Sequence, residues 1–472
     1  MSHTRLSGVL LLVLLSACQS NAERTHRALF ETHQRQAIAN LETRLVNSLE
    51  MTDFSPAVSA DNPTPDAAES LLTIHSATDL QRVALLHSPY IATILIDLGI
   101  HEAQSVQRRL ASNPELGVSL MRPEEGGRWQ FEVSLSLGLL DWLGRQRRIA
   151  LADAEQQQWQ IQALQQLGSE FNQLQQLWLD AQTAKDKAII FNDMLESSNV
   201  SAEFSRLLFE AGNISELDLL ASQSIADQRQ AQAQQAALEA AQALLRLKAR
   251  LGLADTQSIA LPETLHETTV DTALEASHLQ RLLQAARQSY PALLLAQARQ
   301  QQNEAALALA LRQQQLRDAG IELSTERESS GERQHGVGLS LALPVFDSGN
   351  TRISQLQGEV FKSEQWQRQQ LTSLQADIAA AVAQFNTSLQ QLQLIENAEM
   401  PRLRQMMALG VREYNFMLRG TFELLSIADL ILDARLRQLH SHQQYWQAVI
   451  QLEYLSGQPL SQLLSTPESG SL

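Results

Sequence analysis

Eleven histidines and a single cysteine are the residues of this chain whose chemistry spacing can test most directly. A zincin helix needs two histidines four positions apart around a glutamate, so that both imidazoles share one face. His101-Glu102 opens such a pattern, but position 105 is Ser105. His440 and His442 stand two apart, and on a helix that spacing turns their side chains away from each other. Neither a phosphate-cradling glycine loop nor a nucleophile elbow occurs. The chain is therefore not expected to be an enzyme, and no catalytic residue, metal site or cofactor is assigned.

Cys18 has a different meaning. It follows Leu15-Ser16-Ala17, at the end of an apolar run from Gly8 to Leu15 that is too short to span a bilayer and sits behind a short start bearing His3 and Arg5. The segment is similar to a bacterial lipobox. That resemblance implies cleavage before Cys18, acylation of its thiol (palmitate among the chains) and export across the inner membrane. The other reading is an ordinary signal peptide with an incidental cysteine. As the only cysteine, Cys18 excludes an intramolecular disulfide. Gln19 and Ser20 follow, without the aspartate that would imply retention at the inner membrane. Acyl chains alone anchor a protein modestly, so a second lipid contact is expected.

The net charge is −16, and loss of Arg5 with the signal makes it −17. Such an acidic chain is a poor ligand for nucleic acid. No stretch of about 20 apolar residues follows Cys18, so a membrane crossing would have to be made by strands. Abundant glutamine with only 20 glycines and 12 prolines suits long helices.

The chain repeats itself. Leu164, Leu167, Phe171, Leu174, Trp178 and Ala181 form a heptad seam, and Leu371, Leu374, Ile378, Ala381, Phe385 and Ser388 repeat it 207 positions later. Ser88-Pro89-Tyr90 is echoed by Ser289-Tyr290-Pro291, and Phe209 to Leu220 by Tyr414 to Leu425 at an offset of 205. A two-residue difference at the turn between helices would account for the change of offset. Each unit reads helix, strand, strand, long helix, long helix. In the first, a helix from about Asp79 to Leu110 precedes strands near Glu115 to Met121 and Arg128 to Leu140. In the second strand Trp129, Phe131, Val133, Leu135, Leu137 and Leu139 alternate with polar or small residues. The second unit does the same with Ile321, Leu323 and Thr325, then Val337, Leu339, Leu341 and Leu343.

Alternation of this kind suits a strand between lipid and lumen, or one in a half-buried sheet. Four strands cannot close a barrel and open edges are not tolerated in lipid, so chains must pool strands. Three chains would give twelve strands and leave a lumen. Residues 144–196 as one helix would extend about 75 Å, which suits the wall of a tunnel or a solid coiled coil.

Two segments carry a family resemblance: Ala211-Gly212-Asn213-Ile214-Ser215-Glu216-Leu217-Asp218-Leu219-Leu220, and Leu339-Ser340-Leu341-Ala342-Leu343-Pro344-Val345-Phe346-Asp347-Ser348-Gly349. With the repeat, they resemble TolC-type outer-membrane efflux proteins over about Asp79 to Leu460. The resemblance implies a mainly α fold with a transmembrane β-barrel portion: two structural repeats, coiled-coil helices forming an α-barrel, and four strands per chain pooled in a homotrimeric twelve-stranded barrel. The expected bounds are 1–17 signal peptide, 18–70 lipidated segment and linker, 71–270 first repeat, 271–457 second repeat and 458–472 tail.

The resemblance also implies a periplasmic gate. Tyr414 and Arg419 match the family's linking side chains, Asp218 matches the acid that receives them, and Glu423 falls where an acidic ring narrows the pore. Met417 and Ser426 depart from the pattern, so one ring is expected. The implied partners are a periplasmic adaptor and an inner-membrane pump of the RND type, docking at helix tips near Ser197 to Val200 and Glu399 to Arg402. Asn113-Pro114-Glu115-Leu116 and Asp141 to Arg148 look like the heavy-metal (CzcC-like) branch, so the exported substrate is read as metal cations, with drugs or other small molecules open. The alternative is a lipid-anchored periplasmic coiled-coil scaffold without a pore.

Overall fold

The computed structural model describes residues 72–74, 76–110, 113–122, 129–138, 144–254, 259–262, 270, 272–315, 320–327, 332–340, 348–416 and 418–465. Cys18, the signal segment and the linker that follows lie outside the described residues, as does Met417. The first repeat contributes β1 (Leu72–Thr73), α1 (Ala77–His87), α2 (Pro89–Arg109), β2 (Glu115–Met121), β3 (Gln130–Gly138), α3 (Arg145–Glu210) and α4 (Glu216–Leu251). Then come β4 (Ile259–Ala260), α5 (Ala276–Ser289), α6 (Pro291–Gln315), β5 (Gly320–Arg327), β6 (Arg333–Ser340), α7 (Asn350–Leu394), a π-helical turn (Ile395–Glu399), α8 (Met400–Asn415), α9 (Thr421–Ser456) and α10 (Leu460–Ser465). The chain forms two compact units: Thr93–Ala163 with Gln297–Gln365, and Thr64–Ala92 with Leu164–Ala296 and Trp366–Leu472. Both repeats feed each unit.

The first unit holds an antiparallel sheet of order β2-β3-β5-β6. The central β3–β5 pairing joins the two repeats, with Val133 opposite Thr325 and Leu135 opposite Leu323. The second unit is built on the heptad seams. Leu167, Leu174 and Ala181 are buried in α3, as are Leu374, Ile378, Phe385 and Leu392 in α7. The α7 stripe packs with Tyr445, Val449 and Leu452 of α9 and with Leu282 and Ala286 of α5. Tyr445 is fully buried, and its hydroxyl accepts from the Val270 N–H at 3.1 Å and donates to the Val270 carbonyl at 3.3 Å. That satisfies the one polar group of an aromatic core residue.

Each expected first helix is two helices. Ser88 is extended (ψ 119°) because a residue before proline avoids the helical region, and Pro89 then starts α2. Tyr290 and Pro291 repeat the break. Opposite each break lies a helix C-cap glycine in the left-handed region, Gly252 (φ 74°) and Gly457 (φ 67°). Ser88 Oγ donates to the Arg250 carbonyl and Ser289 Oγ to the Ser456 carbonyl. A β-carbon on Gly252 would lie 2.5 Å from the His87 carbonyl oxygen and 2.6 Å from Pro89 Cδ. Gly252→Ala is expected to cost about 2 kcal/mol or more, from the left-handed backbone and the clash together. A melting temperature equal to that of the unmodified protein in circular dichroism would contradict this packing.

The helix tips are not where serine-rich and proline-containing stretches pointed. Residues 197–200 lie inside α3, and the turn comes at residues 211–215. Ser198 donates to the Leu195 carbonyl and Ser205 to the Ser201 carbonyl, so these hydroxyls are satisfied within the helix. In the second repeat Glu399 to Arg402 also lie within helix, and the turn comes at residues 416–420. There the π turn sits directly before Pro401, at the start of α8. Its shifted hydrogen bonding accommodates a residue that has no N–H to give.

The two turns are equally long, so the two-residue difference between the repeats lies in the descending helices and not at the tips. Losing two residues from an α-helix would leave later side chains about 160° out of phase. A π turn absorbs one extra residue, making the effective loss three residues and the phase error only about 60°. The seam that buries Leu392 therefore continues into Met400 and Leu403.

Candidate functional site

The pairing register puts one kind of chemistry on each face of the sheet. Leu116, Leu135, Leu323 and Val337 form a row straight across the four strands. The next row is Val118, Val133, Thr325 and His335, and the row nearest the hairpins is Leu120, Phe131, Arg327 and Arg333. Most of the apolar side chains in these rows are open: Leu116 is 69% exposed, Val337 79% and Leu120 62%. Among the described residues nothing covers this face, and a patch of this kind marks a surface made for an apolar or partner environment.

The opposite face carries Glu115, Glu132, Glu322 and Glu326 among serines, glycines and glutamines, with Met121 at the hairpin end and no Lys, Arg or His among the described strand residues that share it. Glu132 and Glu326 stand directly opposite each other, an arrangement that costs stability, and Ser119 Oγ donates to Glu132 at 2.9 Å. β2 and β6 each pair on one side only. Both edges thus leave backbone donors and acceptors that a bilayer would not tolerate.

The residues expected at the gate lie around the two turns of the second unit. Asp218 sits in the first turn of α4, where Ser215 and Asp218 form a reciprocal capping box. Ser215 Oγ also donates to the Asp218 carboxylate at 2.7 Å. Tyr414 is in the last turn of α8 and 42% exposed. Arg419 lies in the turn, and Glu423 in the first turn of α9. Arg419 Nε donates to Glu413 at 2.6 Å and stands 3.8 Å from Glu423. Its guanidinium pKa is raised by the Glu413 hydrogen bond first and by Glu423 less. The structure therefore joins Arg419 to Glu423 and leaves Asp218 bonded to its own helix.

Sequence reasoning missed Glu413, whose spacing of six from Arg419 matches no helical pair because the turn intervenes. It also missed the apolar surface at both turns: Leu217 is 76% exposed, Phe416 68% and Leu418 77%. Phe204 and Phe422 meet edge to face at 6.2 Å and tie the two helical hairpins together.

Residues 80–253 match the family model described as outer membrane efflux protein. Over these 174 of the 472 residues the chain resembles that family. No curated protein sequence matches the chain. Solved structures extend the likeness in fold over most of it. A membrane protein from Pseudomonas aeruginosa shares 17% identity, with 86% of this chain and 97% of that one covered and a TM-score of 0.64. The outer membrane protein VceC from Vibrio cholerae shares 13%, over 81% and 96%, with a TM-score of 0.65. The MtrE outer membrane channel of Neisseria gonorrhoeae, solved in its open state, shares 14%, over 86% and 96%, with a TM-score of 0.62. At these identities the likeness is one of fold.

Proposed function

We propose that the chain is one subunit of a trimeric outer-membrane efflux duct, a passive conduit from a periplasmic adaptor and inner-membrane pump to the cell exterior. The observation that carries this is the sheet: one uncovered apolar face, one acidic face and two unpaired edges. β6 of one chain pairs with β2 of the next, three chains close twelve strands, and the apolar rows face lipid. The acidic faces then line the lumen and favour cations, which suits metal cations as cargo and admits cationic drugs. Detergent-extracted protein should have the mass of three chains, and a monomer would contradict the pairing.

The finer assignments rest on the sequence. Cys18 carries the acyl anchor, the pump is of the RND type, and adaptor docking uses the turns at residues 211–215 and 416–420, whose exposed Leu217, Phe416 and Leu418 offer an apolar contact. Tyr414 and Arg419 hold the mouth narrow, with Asp218 receiving them from a neighbouring chain and Glu423 forming the acidic ring. Arg419→Ala with Tyr414→Phe should raise single-channel conductance several-fold, since a small change in pore radius changes both area and access. Unchanged conductance would remove these residues from the gate.

A further inference from the structure

All four links between helix and strand lie at one end of the sheet, because both hairpin turns occupy the other. The helical turns bordering that end have a charge opposite to that of the chain. Residues 104–110, 144–155, 309–315 and 348–356 contain seven arginines, no lysine and only two carboxylates, Asp153 and Glu155. Arg145, Arg147 and Arg148 fall in the opening turn of α3, which holds no acid. The helix dipole disfavours cations there, so the stability of α3 does not explain them. Arg109 meets Asp153 at 2.7 Å and Arg108 meets Glu155, while Arg145, Arg147, Arg312 and Arg352 are exposed. Arg109 Nε is buried without a hydrogen-bond partner among the described residues. Between α2, α3 and α6 a cavity of about 390 Å³ opens, lined by Arg108, Arg148, Leu151, Glu155 and Leu309 among others.

Guanidinium forks suit phosphate oxygens, and a mostly apolar cavity that carries Arg108 and Arg148 suits a headgroup with its chains alongside. The apolar rows of the sheet begin at this same end, with Leu116, Ile321 and Leu339. We propose that this arginine collar binds the phosphate of an anionic phospholipid in the leaflet facing the periplasm. Arg108 and Arg148 engage the headgroup at the cavity, and Arg145 and Arg147 hold neighbouring lipid by charge. The collar supplies a lipid contact beyond any acyl anchor and fixes the depth at which the sheet sits. This rests on the duct reading, which puts the apolar face in a bilayer.

The test offers equal amounts of dioleoyl-phosphatidylglycerol and dioleoyl-phosphatidylcholine to the detergent-purified full-length oligomer, counts retained lipids by native mass spectrometry, and records conductance on the same preparation. The unmodified protein should retain phosphatidylglycerol in preference by about fivefold or more, as one or two surface cations would give. Arg145→Gln/Arg147→Gln/Arg148→Gln should bring the ratio near parity, and the matching lysine triple variant should keep part of the preference. Parity in the unmodified protein, or an unchanged ratio in the glutamine variant with its conductance intact, overturns the collar and leaves the duct standing. Displacement of the lipid by millimolar inorganic phosphate would overturn it too, by making the site one for free anions. Absence of conductance in the unmodified protein would strike the duct reading instead.

Discussion

Leu323→Arg is expected to abolish assembled trimer in the outer membrane while leaving the helical second unit folded. Leu323 lies in a central strand, with Leu135 and Val337 directly beside it, in the most fully apolar row of the sheet. An arginine facing lipid near the bilayer midplane costs about 2–4 kcal/mol, and a trimer carries it three times. The total is comparable with the whole stability of a typical domain. In water the result would be different, because Leu323 is 47% exposed and charged substitutions at open positions usually change stability by about 0.5 kcal/mol or less. Glu322→Gln, one position away on the acidic face, should assemble normally and reduce only cation preference. Fractionation of both variants decides the matter. Equal recovery of Leu323→Arg and unmodified trimer from outer membranes would mean that the apolar face does not meet lipid.

Arg250→Met should destabilise the second unit by about 3–5 kcal/mol, because it strands a buried carboxylate. Glu170 is only 7% exposed in its side chain and is held by both Nε and Nη2 of Arg250. The same guanidinium donates to Gln173 at 2.8 Å and stacks 3.8 Å from the centre of the Tyr90 ring. It stands beside the Ser88–Pro89 break, and Ser88 Oγ donates to its backbone carbonyl. Replacing both partners, as Glu170→Leu with Arg250→Met, should recover most of the loss, since no charge is then left in the interior. Chemical denaturation of the two variants measures this directly. A double variant as unstable as Arg250→Met would show that the packing around Tyr90 matters more than the ion pair.

The parts of this architecture that were legible in the sequence are those set by periodicity. A heptad stripe must bury itself whatever it packs against, and Leu167, Leu174, Leu374 and Phe385 do so. Two-residue alternation must separate faces, and the register sets Leu116, Leu135, Leu323 and Val337 apart from Glu115, Glu132 and Glu322, while towards the hairpin end Thr325, His335, Arg327 and Arg333 enter the apolar face and Met121 the acidic one. What stayed hidden depends on contacts distant in sequence or on backbone geometry without a side-chain signature. Ser197 and Ser198 read as a turn because serine competes for backbone hydrogen bonds, yet in α3 it back-bonds instead. Pro401 reads as a helix end, yet a π turn carries the helix through it. Gly252 and Gly457 look like ordinary helix stops until the breaks at Pro89 and Pro291 are found against them. Around the turn between α8 and α9, the family resemblance singled out Arg419 and Glu423, but the Glu413 link exists only because the turn folds α8 back towards α9.

The central claim is that three chains close a cation-preferring pore, and single-channel recording in a planar bilayer, with the mass of the same detergent-purified sample, tests it most directly. The account predicts a trimer giving discrete steps, with a reversal potential displaced towards cations under a salt gradient. A monomer or dimer silent at every voltage would contradict it and leave a lipid-anchored coiled-coil scaffold.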